Sequence, residues 1–298
     1  MHVIEPGRYT YYIDDIMFER DPRLTPENRA QLANGRGGNG IVMPSRGDDG
    51  MLLVRRDIVL GEKIPGYPGQ SGVLSTPAAL YENARTLSSA RSLEDAVHAL
   101  RAAFAAGHET PMQVVTDPGL IPLIADPEIR PLLRDALRDH ARESVATMVS
   151  SGEPGDPFVF RVALVDEGTG DPIAGALVEL VQADAGGRYA IRTAAWNPRL
   201  FAYLRTAADG SFEVRTVHPG GYEDDEGAYV PSHIHFSIMA DGYRPYDSET
   251  PLDDDPLLAG ALREEAVQQG HPITRVEIRD GVSTGTVTIP LQPVPAAN

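Results

Sequence analysis

The strongest constraint in this sequence is a change of hydrophobic period that begins near residue 157. In the segment FVFRVALVD, Phe158, Phe160, Val162 and Leu164 fall on alternate positions, as expected for a strand with one buried face. Further short strand-like segments follow between turns: ALVELVQAD, SFEVRTV, HIHFSIMA, TRVEIRD and GTVTIPL. Many short strands at this spacing favour an antiparallel β-sandwich over alternating strand–helix–strand units.

The residues before this change predict a different organisation. LTPENRAQLANG predicts a short helix, and GIVMPS and GMLLVRRDIVLG predict a β pair around the turn RGDDG. Leu93, Val97, Leu100 and Phe104 form one helical stripe, and DPEIRPLLRDALRDHARESVATMVSS repeats that pattern. SSGEPGDP has the composition of a linker. We therefore expect a mainly β protein with an irregular, α-rich N-terminal region (residues 1–150) and a sandwich domain (residues 151–298).

Composition limits the partners of the chain. The 298 residues include 26 Lys and Arg against 43 Asp and Glu, a formal charge of −17. Nucleic acid and anionic membrane surfaces need a positive patch, so neither is an expected partner. The acidic N-terminus lacks the apolar run of a signal peptide, and no segment is apolar enough to span a membrane, which predicts a cytoplasmic protein.

A pair of histidines in PSHIHFSIMADGY carries the first sign of chemistry. His233 and His235 lie two residues apart on a predicted strand, so both imidazoles point to one side and Ile234 to the other. Two neighbouring neutral imidazoles suit one metal ion, although two polar residues on a solvent-facing strand give the same pattern. The chain has no cysteine, so any metal must be held by nitrogen and oxygen.

Two tyrosines follow glycine turns that could bring them to the histidine pair. Tyr189 ends GGRY directly after a predicted strand, and Tyr222 ends HPGGY shortly before the histidines. Glycine lets the backbone turn sharply and present a side chain at the edge of a sandwich. Phenolate oxygen with imidazole suits ferric iron, whereas a single tyrosine of this kind is also typical of a core edge.

The order of these blocks resembles a known family. GDPIAGALVELVQADAGGRY, RTAADGSFEVRTVHPGGY and PSHIHFSI together resemble the intradiol ring-cleavage dioxygenases, which include catechol 1,2-, hydroxyquinol 1,2- and protocatechuate 3,4-dioxygenases. The resemblance covers about residues 155–250. It implies one Fe(III) ion bound by Tyr189, Tyr222, His233 and His235. It also implies cleavage of a catecholic ring with O2 to a muconate-type product, and, by analogy with helical N-terminal regions in the family, a homodimer.

The sequence departs from the family pattern around the candidate site. The family has an arginine three residues before the first histidine, where this chain has Val230, and a glutamine fourteen residues after the second, where an ungapped count gives Glu249. Tyr229 could fill the space of the missing arginine or act as a further ligand, and Trp196 could form an apolar wall. These four residues are expected to line the substrate pocket.

These departures leave several functions open. The resemblance favours an intradiol dioxygenase for a substituted or atypical catechol. Alternatives are an iron protein of the same fold with a different reaction (non-catechol oxidation, hydrolysis or isomerisation) and a non-catalytic binding module. Residues 1–150 are expected to act as a lid or dimer contact, and Arg55, Arg56 or Tyr67 could supply the missing substrate contact.

Overall fold

The computed structural model describes the chain except for residues 6–8, 34, 48–49, 65–66, 68–75, 191–196 and 296–298. The described residues form two compact units: residues 1–83 with 98–106, and residues 84–97 with 107–298. The domain boundary expected near residue 151 stays a prediction. In the described part of the chain, no helix has both the length and the apolar character needed to cross a membrane.

Short strands and helices alternate over the first 105 residues. The helix predicted in LTPENRAQLANG forms between the proline and the glycine that delimit it, and the predicted helical stripe also forms. The predicted hairpin pairs only two residues on each side, Ser45–Arg46 with Leu52–Leu53. The bounds are β1 (His2–Glu5), β2 (Tyr9–Tyr12), β3 (Met17–Phe18), α1 (Pro26–Ala33), β4 (Ile41–Val42), β5 (Ser45–Arg46), β6 (Leu52–Leu53), α2 (Pro77–Ser89) and α3 (Leu93–Ala105).

A small apolar cluster stabilises the first unit. Tyr11, Ile13 and Ile64 are buried together, and Tyr67 packs against them. The phenol of Tyr11 donates a hydrogen bond to Glu5 Oε1 at 2.7 Å, and the phenol of Tyr67 lies 2.8 Å from Glu5 Oε2. The Tyr67 hydroxyl, considered above as a substrate contact, therefore has a structural partner within its own unit.

Two sheets dominate the second unit. A 3-10 helix (Pro111–Val115) and the helices α4 (Ile121–Ala125) and α5 (Arg130–Asp139) precede the sheets. The remaining bounds are β7 (Val145–Thr147), β8 (Pro157–Asp166), β9 (Leu177–Gln182), β10 (Leu200–Arg205), β11 (Ser211–Val217), β12 (Tyr222–Glu223), β13 (Tyr229–Val230), β14 (His233–Met239), β15 (Tyr246–Pro251), α6 (Ala261–Gln268), β16 (Arg275–Arg279) and β17 (Val282–Leu291). One sheet has the order β10-β9-β14-β15, and the other has the order β16-β17-β8-β11-β7.

The core of the sandwich follows from the period-two pattern. Phe158, Phe160, Val162 and Leu164 are all buried on one face of β8. On β14, Ile234 and the alternate residues after it are buried in the same way. Burying one phenylalanine side chain contributes about 1.5–3 kcal/mol, so this alternation fixes which face of each strand turns inward. The predicted sandwich is confirmed, although β7 and β17 run parallel to their neighbours β11 and β8.

The helix predicted to continue to Ser151 is wrong beyond Asp139. Helix α5 ends at Asp139, and Val145–Thr147 form β7, which pairs in parallel with Glu213–Arg215 of β11. β-branched residues favour strands, and the sheet hydrogen bonds continue at Met148, whose N–H donates to Arg215 O. Pairing with the sheet therefore outweighs the weak helical periodicity of this segment.

Candidate metal centre

The histidine pair lies at the start of β14. Ile234 is buried on the core side of the strand, and both imidazoles point to its other face. His233 Nε2 lies 3.0 Å from His235 Nε2, and the two ring planes are 88° apart. The alternation expected of a strand therefore brings two nitrogen donors to one point.

The orientation of His233 is set by a backbone carbonyl. His233 Nδ1 lies 2.7 Å from Pro231 O, and a carbonyl oxygen can only accept a hydrogen bond. Nδ1 therefore carries the proton, and the lone pair is on Nε2, which faces the other donors. A hydrogen bond of this kind on the distal nitrogen is typical of metal-binding histidines.

A buried carboxylate, which the sequence analysis missed, holds the residue before the pair. Asp255 Oδ2 accepts hydrogen bonds from the N–H and the Oγ–H of Ser232, both at 2.8 Å. Burial raises the pKa of Asp255, but hydrogen bonds from Ser232, Leu257 and Tyr229 outweigh this effect and lower it below its ordinary value. The ionised carboxylate thereby fixes the backbone where β14 begins.

Tyr189 extends from the loop that follows β9. Its hydroxyl lies 2.7 Å from His233 Nε2, to which it can donate because that nitrogen bears a lone pair. The Arg199 N–H donates to Tyr189 O at 2.8 Å and fixes the loop at this residue. The Tyr189 oxygen and the two histidine nitrogens thus form one compact group of donors.

Tyr222 reaches the same group from β12. Its ring centroid lies 5.9 Å from that of Tyr189 and 5.8 Å from that of His233. Gly187 explains how the two loops can approach, because a Cβ atom there would lie 2.6 Å from Gly221 O and 2.9 Å from Tyr222 Cβ. The φ angle of Gly187, 77°, also disfavours any other residue. The glycines of the predicted turns therefore allow the segments that carry Tyr189 and Tyr222 to come into close contact.

The surroundings of the donors set their protonation. Burial, then Tyr222 and Glu249, raise the pKa of Tyr189 well above its ordinary value. Burial and the neighbouring His233 lower the pKa of His235 to about 4, so this imidazole is neutral at pH 7. A neutral imidazole is the form that binds a metal, and a phenolate in this position requires a nearby cation to hold it.

The other predicted pocket residues lie at different distances from the donors. Val230 is directly opposite Tyr222 in the β12–β13 pair and is half-buried. The Tyr229 hydroxyl donates to Asp255 Oδ2 at 3.0 Å, so it supports the start of β14. Trp196 lies outside the described residues.

Glu249 lies beside the histidines, in a strand that the sequence analysis missed. It is the direct partner of His235 in the β14–β15 register. Its Oε2 lies 3.6 Å from His235 Nδ1 and 3.9 Å from His233 Nε2. His233, His235 and Glu249 can therefore each offer one atom to a metal ion, with these atoms within 4.8 Å of one another.

A groove opens along the outer face of this sheet. Its volume is about 520 Å³, and His235, Glu249 and His271 are among the residues that line it. A larger concavity, of about 850 Å³, lies on the five-stranded sheet, but none of the described residues that line it is a histidine or a tyrosine. The groove at the donors is therefore the better candidate for a substrate site.

The donor set fits ferric iron. His235 Nε2 and the Tyr189 oxygen both lie within 3.0 Å of His233 Nε2, and Tyr222 adjoins them. Hard phenolate oxygens with imidazole nitrogens suit Fe(III) rather than a soft metal. The carboxylate of Glu249 is a further hard donor at the same point.

Comparisons with known proteins find similarity to dioxygenases. A family model described as Dioxygenase matches residues 134–281. Over 121 residues the chain is 36% identical to the protocatechuate 3,4-dioxygenase beta chain of Burkholderia cepacia, covering 37% of this chain and 51% of that protein. Over 146 residues it is 29% identical to chlorocatechol 1,2-dioxygenase of Rhodococcus opacus, covering 42% and 55%. Over 122 residues it is 34% identical to catechol 1,2-dioxygenase 2 of Acinetobacter lwoffii, covering 36% and 43%.

Solved structures give matches at lower identity. The crystal structure of catechol 1,2-dioxygenase from Pseudomonas arvilla is 22% identical, with a TM-score of 0.44, and the match covers 52% of this chain and 58% of that one. The chain spans about half the length of the curated relatives it matches. The family match includes Tyr189, Tyr222 and both histidines of β14. Through residues 134–281, the chain belongs to the intradiol ring-cleavage dioxygenase family.

Proposed function

We propose that the chain is a non-heme Fe(III)-dependent intradiol dioxygenase that acts on a substituted or atypical catechol. The ring would open between its two hydroxyl-bearing carbons, and both atoms of one O2 molecule would enter the muconate-type product. The convergence of the Tyr189 oxygen and His235 Nε2 on His233 Nε2, at 2.7 and 3.0 Å, carries the proposal.

Each donor has a distinct task in this proposal. His233, His235, Tyr189 and Tyr222 would hold the metal ion. When bound, ferric iron supplies Lewis acidity and a template for the two substrate oxygens. Tyr222 is the residue expected to give up its place, and its oxygen would then accept a proton from a substrate hydroxyl. Val230, opposite Tyr222, gives this side of the site an apolar wall.

Oxygen uptake with product analysis tests the proposed reaction. Iron-loaded protein is mixed with 4-methylcatechol under isotopically labelled O2, and the product is identified by mass spectrometry. We expect one O2 consumed per ring and a diacid that carries both labelled atoms. An aldehyde-acid would mean that the ring opened beside the hydroxyl pair, and it would contradict the intradiol assignment. His233→Ala is the control without a metal site.

A second candidate function rests on Glu249. Two histidines and one carboxylate are the ligands of many non-heme Fe(II) oxygenases, and His233, His235 and Glu249 could form this set. If they do, Glu249→Gln lowers iron affinity strongly, whereas Tyr222→Phe leaves it unchanged. The intradiol proposal predicts that Tyr222→Phe alters the visible spectrum and that Glu249→Gln retains iron.

The assembly and the role of the N-terminal region are further proposals. By analogy with the family, we propose a homodimer in which residues 1–150 contribute to the contact or cover the site. Light scattering of the purified protein tests the dimer, and a monomer at micromolar concentration would contradict it. The cytoplasmic location expected from the sequence stays a prediction.

A further inference from the structure

The charge of the groove beside the donors distinguishes this chain from the family pattern. Glu249 projects from β15 directly opposite His235, and its Oε2 lies 3.6 Å from His235 Nδ1. A substrate bound through its hydroxyls at these donors must lie close to this carboxylate. Its side chain is about 30% exposed, so water screens the charge only in part.

The described groove offers little positive charge to offset Glu249. Three carboxylates line it, those of Glu179, Asp247 and Glu249. Glu179 is neutralised by an ion pair with Arg134. Among the described residues no lysine or arginine lines the groove, and Asp247 and Glu249 form no ion pair with either residue type. Two acidic groups therefore remain next to the expected substrate position.

The position where the family motif has arginine also carries no positive charge in this chain. Val230 occupies the motif position where the family has arginine, and the register places it beside Tyr222. An arginine there would offset negative charge on the substrate, whereas valine cannot. Relative to a motif with arginine and glutamine at the two positions, valine and glutamate make the site more negative by two charges. This change opposes any substrate with an additional negative group.

We propose that Glu249, assisted by Asp247, selects catechols that carry a cationic substituent such as a protonated amine. This inference rests on the proposed function, because it concerns the substrate of that same site. An ammonium group directed into the groove would meet two carboxylates, whereas a carboxylate substituent would be repelled by both. The groove volume of about 520 Å³ leaves room for a side chain on the ring.

Anaerobic binding of three matched catechols tests the proposal. Dopamine is cationic, 4-methylcatechol is neutral and protocatechuate is anionic. The iron-loaded full chain is titrated with each, and Kd is taken from the shift of its visible band. For a partly exposed charge at this distance we expect dopamine to bind about tenfold more tightly than 4-methylcatechol, and protocatechuate about tenfold more weakly.

Variants that remove one charge identify the residue responsible for selectivity among the three catechols. Glu249→Gln keeps the size of the side chain and should bring the three Kd values to within about threefold of one another. Asp247→Asn, farther from the donors, should produce a smaller change in the same direction. Asp241→Asn, on an exposed turn outside the groove, should leave the order unchanged. Iron content is measured for every variant, so a lost metal site is not mistaken for lost selectivity.

The outcomes separate this inference from the function on which it rests. If all three catechols shift the band but protocatechuate binds as tightly as dopamine, the inference is overturned and the proposed function stands. The same holds if Asp247→Asn and an iron-loaded Glu249→Gln both keep the wild-type order. If iron-loaded protein responds to none of the three, the proposed function is contradicted and the inference is overturned with it.

Discussion

The two halves of the candidate metal centre are held in different ways. The histidines belong to one strand, so sheet register places both of them, and a contact with the Pro231 carbonyl orients His233. Tyr189 comes from the loop after β9, and Tyr222 comes from the two-residue strand β12 at the end of a glycine turn. These two segments approach because Gly187 and Gly220 allow their backbones to touch. The position of the histidines (the strand half) follows from local sequence. The position of the tyrosines (the loop half) depends on contacts between distant segments. We therefore expect mutations in the two halves to have different effects on iron binding and on stability.

The largest effect is expected for the strand half. His233→Ala removes the nitrogen on which the Tyr189 oxygen and His235 Nε2 converge, and should lower iron affinity about 100-fold or more. Tyr222→Phe should retain iron but change the colour of the protein. Iron analysis of both purified variants checks the difference. Equal iron content in the two variants would mean that the strand half is not the anchor.

The loop half should be sensitive to one added methyl group. Gly187→Ala places a Cβ atom 2.6 Å from Gly221 O, whereas Gly227→Ala, at a similar φ of 81°, meets nothing within 4 Å. Both variants lose about 1 kcal/mol from backbone strain. The clash should cost Gly187→Ala about 1–3 kcal/mol more. Denaturant unfolding measures both, and equal losses would contradict the close contact of the two loops.

Asp255 offers a test of how the strand half is anchored. Asp255→Asn weakens the hydrogen bonds to Ser232 and should lower the free energy of unfolding by about 1–3 kcal/mol. Asp241→Asn, on an exposed turn, is the control and should change little. Thermal unfolding measures both variants.

Wild-type protein and Asp255→Asn together also test the pH dependence of stability. The pKa of Asp255 is lowered from its ordinary value of 3.8, so the stability it contributes is present above pH 3.8. This stability is lost as pH falls through the folded-state pKa, where the difference between wild type and Asp255→Asn should disappear. A difference that persists in strong acid would mean that ionisation of Asp255 plays no part.

The smallest effect is expected at Tyr229. Tyr229→Phe removes one hydrogen bond to Asp255 and should cost about 0.5–1.5 kcal/mol. Because this hydroxyl supports β14, the visible band of the iron-loaded protein should not move. A shifted band would show instead that Tyr229 contributes to the metal environment.

Sequence periodicity predicts most of the sandwich but not all of the site. The alternation in β8 and β14 identifies the buried faces correctly, because one face of each strand lies in the core. β15 has no such signal, since it is an edge strand with the sequence YDSETP, and one face borders the groove. Glu249 could be located by counting from the motif, but its pairing with His235 could not.

Two further features that local sequence does not predict have a common cause. Asp255 lies in an acidic run, LDDDP, where the residues look alike, and only the tertiary position of Ser232 distinguishes this aspartate. The helix predicted beyond Asp139 fails because β7 pairs with a strand some seventy residues later in the sequence. Both depend on long-range contacts that local propensity does not encode.

In the proposed function, Tyr189, Tyr222, His233 and His235 hold one ferric ion that binds a catechol. The most direct test is a visible absorption spectrum with iron analysis on the purified protein, before and after anaerobic addition of 4-methylcatechol. We expect a coloured protein with about one iron per chain, whose tyrosinate band shifts when the catechol binds. A colourless protein that takes up no ferric iron would contradict the proposed function.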